Sequence, residues 1–177
     1  MTAVRTVLEV PVPEADSLAL LVRRALNPDR VVPDLIGGAV FAHVSILGPL
    51  PPPAEIEDST WAAVAPTCSQ TEAFSFTLGE LRLFDGGIAY LAPEPDGRFR
   101  DLMRMFFGVI FPRSDVPAER ATPHLTLAIG MESSERLAAL DALVRPALPL
   151  TAHARHVDAV FVEPSRKTLI RRFPLRG

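Results

Sequence analysis

The sequence predicts an α+β fold built on antiparallel sheet, with an approximate internal duplication. Three observations predict it. Amphipathic helical stretches are mixed with pairs of strand-like runs that read as hairpins. The two halves repeat one order, which is helix, strand, helix, then a two-strand hairpin, although residue identity does not show the repeat. Eighteen prolines, many in loop-like clusters, punctuate the chain into short elements.

The order along the chain is β, α, β, α, β, β, α, β, α, β, β. Residues 6–11 form a first strand, rich in Val and Leu. Residues 15–26 set Leu18, Leu21, Val22 and Ala25 at helical spacing with Arg23 and Arg24 outward, and Asp16 or Ser17 is the expected cap. Residues 40–47 form the next strand, ended by Gly48 and Pro49. Residues 53–65 read as a helix, with Glu55, Glu57 and Asp58 in the early turns, where the helix dipole favours acids. Residues 73–83 alternate Phe74, Phe76 and Leu78 against Ser75, Thr77 and Gly79, a strand with one buried face. Asp85-Gly86-Gly87 is a turn, and residues 88–92 return as a strand. Residues 98–111 form a helix whose apolar face is Leu102, Met105, Phe106 and Val109. Residues 124–129 are a strand. Residues 132–145 form a helix that starts near Ser133 or Ser134, carries the stripe Leu137, Leu140 and Val144, and stops at Pro146. Residues 157–162 and 168–173 close the chain as a hairpin around Glu163-Pro164-Ser165-Arg166.

Bulk composition narrows the function classes. The chain has 177 residues, 48% hydrophobic and 22% charged, which is a folding composition. The net charge of -3 provides no global basic field for long nucleic acids. The single cysteine, Cys68, excludes an internal disulfide and a multi-cysteine metal site, and no nearby His activates it. The first thirteen residues lack the apolar core of a secretory leader, and no run approaches the roughly 18 apolar residues of a membrane span. The expectation is a soluble cytoplasmic protein with no membrane association. Gly37-Gly38 and Gly86-Gly87 are turn pairs, not a phosphate-cradling loop, because neither is followed by a Lys and a helix start.

Chemistry concentrates in two tetrapeptides, His43-Val44-Ser45-Ile46 and His124-Leu125-Thr126-Leu127, which stand 81 residues apart in matching places of the two halves. Side chains alternate along a strand, so His43 shares a face with Ser45, and His124 shares one with Thr126. The apolar partners anchor each strand, and the polar pairs face outward or toward a cleft. Such a set suits phosphodiester cleavage without a metal. One neutral imidazole takes a proton from water or a ribose hydroxyl, and the other, as imidazolium, gives a proton to the leaving oxygen. The two hydroxyls can donate hydrogen bonds to non-bridging phosphate oxygens, where charge accumulates.

On these tetrapeptides the chain resembles the two-histidine (2H) phosphoesterase superfamily, which includes 2′-5′ RNA ligase-like proteins and cyclic nucleotide phosphodiesterases. The family motif is His, apolar, Ser or Thr, apolar, given twice about 80 residues apart. The element order is similar over nearly the whole chain, including residues 74–91 and the terminal hairpin. The resemblance implies one bilobal domain over residues 1–177, with two pseudo-symmetric lobes whose antiparallel sheets, flanked by helices, enclose a central cleft. It implies that His43 and His124 are the acid/base pair and that Ser45 and Thr126 bind the substrate phosphate. It implies a nucleotide or RNA-end phosphodiester as substrate, with no cofactor, no metal and no obligatory protein partner. The second copy has the family's common preceding proline, Pro123, whereas the first has Ala42. Many RNA ligase-like members carry an Arg where this chain has Ile129, which points away from RNA ends more than from phosphodiester chemistry.

Other polar groups have plainer readings beside a functional one. His153 and His156 read as a solvated strand lead-in or a substrate contact. Arg166, Lys167, Arg171, Arg172 and Arg176 read as a polar hairpin face with a basic tail, or as a phosphate-facing rim. Arg98, Arg100 and Arg104 are interspersed with Asp96 and Asp101 and read as a solvated helix face. Tyr90 and Trp61 are core or rim aromatics that can each stack a base. The alternative to an enzyme is a module that holds a nucleotide or RNA in the same cleft without turnover. A ligase is a third reading, without a nucleotide-activation motif.

Overall fold

The computed structural model describes residues 4–111 and 121–177. Strand β1 (Arg5–Pro11) passes through a short 3-10 turn into helix α1 (Asp16–Leu26). A three-residue strand, β2 (Asp34–Ile36), precedes β3 (His43–Leu50) and helix α2 (Asp58–Gln70). The hairpin of β4 (Phe74–Phe84) and β5 (Ile88–Glu94) leads to helix α3 (Gly97–Ile110). After β6 (Leu125–Ala128) come α4 (Ser134–Val144), β7 (Leu150–Ala154), β8 (His156–Glu163) and β9 (Arg166–Pro174). The α+β reading holds.

The strands form two sheets, one in the order β2-β9-β8-β1-β3 and one in the order β6-β5-β4-β7. Every pairing is antiparallel except that of β2 with β9, which is parallel. The tetrapeptide strands β3 and β6 occupy one edge of each sheet and lie against one another. The duplication and the sheets do not coincide. Strand β4, which follows the first tetrapeptide, joins the sheet of the second, and β8, which follows the second, joins the sheet of the first. The intervening helices α2 and α4 make that exchange possible, since a helical connection can carry the chain from one sheet to the other. One apolar cluster runs through both, from Leu8, Val10, Val44 and Ile46 to Leu91, Phe99, Leu125 and Leu127.

Local chemistry explains the elements and the places where the sequence reading departs from them. Gly86 and Gly87 both have positive φ (86° and 74°), the backbone that lets β4 fold directly back on β5. Ser133 caps α4 by accepting from the Arg136 N–H at 3.2 Å. Helix α2 begins five residues later than expected and runs through Pro66, because residues 53–55 make only a 3-10 turn. Burial of Trp61, Val64 and Cys68 on one face offsets the hydrogen bond that Pro66 forgoes. Helix α3 is rotated from the expected face: Phe99, Leu102, Met103 and Phe106 are buried, while Met105 and Val109 are exposed. Ring packing sets that rotation, since Phe99 meets Phe74 and Phe76 edge-on at 5.1 and 4.9 Å. Helix α1 likewise buries Ala19 with Leu18 and Val22, leaving Leu21 exposed. Strands β2 and β7 were not legible. Each is short and lies at a sheet edge, paired on one side only.

Candidate functional site

Each tetrapeptide strand turns its apolar residues into the core. Val44 and Ile46 on β3 are buried, as are Leu125 and Leu127 around β6, whereas His43, Ser45, His124 and Thr126 keep partial or full exposure. Both rings are anchored alike. The Phe41 carbonyl lies 2.8 Å from His43 Nδ1, and the Thr122 carbonyl lies 2.7 Å from His124 Nδ1. A carbonyl only accepts, so His124 Nδ1 carries a proton and, in the neutral ring, its Nε2 holds the lone pair.

Helix α1 fixes the entry to β3 and the exit from β6. Asp16, expected as a helix cap, instead accepts from the Ala42 N–H at 2.6 Å and the Phe41 N–H at 3.5 Å, just before His43. The Val12 N–H donates to the Ala42 carbonyl at 2.8 Å on the same turn. At the far end of α1, Asn27 brackets the Ile129 backbone. Its Nδ2 donates to the Ile129 carbonyl at 3.1 Å, and its Oδ1 accepts the Ile129 N–H at 3.3 Å. One rigid helix therefore holds the flanks of both tetrapeptides.

Register sets different groups behind the two copies. Glu9 on β1 lies opposite Ser45, and Tyr90 on β5 lies opposite Thr126. Tyr90 stacks on Phe84 at 4.0 Å, and both rings meet His124 edge-on, at 5.6 and 5.0 Å. Glu9 is fully buried and ion-paired with Lys167, whose Nζ stands 2.7 Å from Glu9 Oε1 with side chains 0% and 4% exposed. Lys167 also donates to the Val40 carbonyl at 2.6 Å and lies 3.1 Å from His43 Nδ1, while Glu9 Oε2 is 3.6 Å from His43 Nε2.

These charges bias the titration of the first copy. Burial pushes the Glu9 carboxyl up to about 7, and Lys167 pulls the other way. Burial within the protein and then the Lys167 ammonium hold His43 well below the ordinary imidazole range, at about 3, although 35% of its side chain stays open. A cavity of about 420 Å³ opens on this side, with His43, Ser45 and Lys167 on its wall.

The remaining polar groups fall elsewhere. Lys167 is the exception in the C-terminal basic set, being buried beside His43. Arg166 faces Glu163 at 4.0 Å, Arg171 faces Asp58 at 3.3 Å, Arg172 grips Asp158 through two 2.8 Å bonds, and Arg176 meets Glu72 at 2.7 Å. These partners make that set a paired hairpin face, not an open phosphate rim. His153 Nδ1 shares a 2.9 Å bond with Ser75 across the β4–β7 pair, and His156 Nε2 lies 3.8 Å from Asp158. Trp61 is buried against Phe173, and Tyr90 against Phe84, so neither offers an open face. Cys68 is buried, and burial pushes its thiol up to about 12. Among the described residues, no group of three or more His, Cys, Asp and Glu is placed to hold a metal ion. No helix there is long and apolar enough to cross a membrane.

Sequence reasoning did not find Glu9, Asp16, Asn27 or Phe84. Two of the site's charges carried a signal. Glu9 interrupts the apolar run Val7-Leu8-Glu9-Val10, and Lys167 is the only lysine among eighteen basic residues. Nothing local marked Asp16 or Asn27.

The two sheets meet along edge strands β3 and β6, with a His at or just before the start of each and a hydroxyl residue two positions on. The family model for the 2′-5′ RNA ligase superfamily matches residues 16–162, and the chain belongs to that family. Among solved structures, E. coli LigT complexed with 3′-AMP is similar at a TM-score of 0.65 and 16% identity, covering 98% of this chain and 99% of that one. E. coli LigT in apo form gives 0.66 at 16% identity, covering 98% of each chain. TT0787 of Thermus thermophilus gives 0.65 at 18% identity, again covering 98% of each. At such identities the likeness shows the fold. No curated protein sequence matches the chain.

Proposed function

We propose that the protein is a metal-independent phosphodiesterase that hydrolyses a cyclic or 2′-linked phosphodiester of a nucleotide or RNA end. The observation that carries this reading is the matched pair of edge strands, each entered through a backbone-anchored imidazole with a hydroxyl residue two positions on. His43, kept neutral by its surroundings, takes the proton of the attacking water on its unprotonated ring nitrogen. The water oxygen bonds to phosphorus as the bond from phosphorus to the ribose oxygen breaks. His124, as imidazolium, gives its Nε2 proton to that leaving oxygen. Ser45 and Thr126 donate hydrogen bonds to the non-bridging oxygens, and each such donor is worth on the order of a hundredfold in rate. Phe84 and Tyr90 confine the His124 ring, while Asp16 and Lys167 position His43.

The test is hydrolysis of adenosine 2′,3′-cyclic phosphate by the wild type and by His43→Ala and His124→Ala, with thermal unfolding followed in parallel. Each variant is expected to lose at least about a thousandfold in kcat while remaining folded. Full activity in either variant refutes the two-imidazole mechanism. Tight nucleotide binding without turnover in the wild type supports the binding-module reading instead.

A further inference from the structure

The cavity beside His43 has a wall that the hydrolytic step does not use. It is about 420 Å³, within the usual range for small-molecule sites, and it extends past His43 and Ser45 to Arg5, Arg23, Arg30 and Phe41. Among the described residues, no carboxylate lies within ion-pair distance of Arg5, Arg23 or Arg30, whereas most other described arginines are paired. Two acids share the cavity, Asp29 and Glu163, and Glu163 faces Arg166 at 4.0 Å.

One of the three guanidinium groups is held in place. Arg23 lies over the Phe41 ring at 5.1 Å and donates to the Val31 carbonyl at 3.4 Å, so it is held against the wall. Its partial burial and the nearby Arg30 both act to lower its pKa, which marks two like charges facing one space. Arg5 opens β1 and lines the same cavity as His43. Like charges converge at a conformational and electrostatic cost, and an anion bridging them removes it.

We infer that Arg5, Arg23 and Arg30 form a second anion subsite, so the preferred substrate carries a further phosphate beside the phosphodiester that is cleaved. This rests on the phosphodiesterase reading and narrows it, from cyclic mononucleotides in general to those bearing a second phosphate. A guanidinium holds phosphate through paired N–H donors, and a wall with several of them selects such a ligand over one with a single negative group.

Two measurements test it. In the first, kcat/KM is compared for adenosine 2′,3′-cyclic phosphate and its 5′-phosphorylated form. The wild type is expected to favour the phosphorylated compound at least about tenfold, and Arg30→Gln or Arg5→Gln to cut that ratio several-fold. Equal kcat/KM values in the wild type, or a ratio unmoved by both substitutions, overturn the inference. In the second, calorimetry compares adenosine 3′,5′-bisphosphate with adenosine 3′-monophosphate. The wild type is expected to bind the bisphosphate at least about tenfold more tightly, and Arg30→Gln to lose most of that margin. Equal affinity overturns the inference whether or not the protein is catalytic. If neither cyclic compound is hydrolysed, the phosphodiesterase reading has failed, and the binding margin alone decides the subsite.

Discussion

Replacing Lys167 with Met removes the ammonium that faces the buried Glu9 carboxyl at 2.7 Å. The consequence depends on pH, and its sign follows from the raised carboxyl. An unfolded Glu titrates at 4.5, and in the folded protein Glu9 titrates at about 7. The folded state therefore binds the extra proton, which stabilises it fully below pH 4.5, and that stability is lost as pH rises toward 7. Above pH 7 the wild type stops losing stability, because Glu9 ionises against Lys167. In Lys167→Met the carboxylate has no partner, so the native state keeps the proton and loses about 1.36 kcal/mol for each further pH unit. Between pH 7 and 9 the gap between variant and wild type is then expected to widen by about 2 kcal/mol. It adds to a pH-independent loss of about 1–3 kcal/mol, because the Val40 carbonyl loses its donor. Urea unfolding of the wild type, Lys167→Met and Glu9→Gln/Lys167→Met at the two pH values measures this. The double variant, having no carboxyl to titrate, is expected to show no widening. A gap equal at pH 7 and pH 9 for Lys167→Met refutes the coupling between Glu9 and Lys167.

Three other outcomes follow from the same geometry. Because His43 is held well below 6.5, protonation of this proposed base is expected to cut kcat only far on the acid side, and Lys167→Met to move that limb toward 6.5; an acid limb near 6.5 in the wild type contradicts the assignment. Asp16→Ala orphans the Ala42 and Phe41 N–H groups ahead of His43, so kcat is expected to fall roughly tenfold or more alongside a loss of about 1–3 kcal/mol; a loss of stability with unchanged kcat leaves Asp16 as a folding residue only. Hydrolysis is expected to survive prolonged dialysis against a chelator, and a loss restored by added divalent metal argues for a metal-assisted reaction instead.

What was legible in the chain was whatever lies in short-range periodicity. Alternation around His43 and His124 gives the face that each side chain takes, hydrophobic spacing gives three of the helices, and the early acids of residues 53–65 give the other. The Asp-Gly-Gly turn gives the β4–β5 hairpin. The α3 face was misjudged because spacing alone admits two adjacent stripes, and only the contact of Phe99 with Phe74 and Phe76 chooses between them. Strands β2 and β7 left no periodic signal because each is short and is paired on one side only.

The two tetrapeptides, their spacing and the face each side chain takes were determined by sequence alone, since a His and a hydroxyl two apart on a strand share a face wherever that strand goes. Tertiary structure decided everything about their surroundings. It exchanged β4 and β8 between the sheets, set the two motif strands edge to edge, and brought Lys167 across 124 positions to His43. Those contacts are long-range, and long-range contacts depend on how sheets pair and helices cross. That is why a lone lysine in a basic hairpin could not be recognised, from the chain alone, as the buried partner of Glu9.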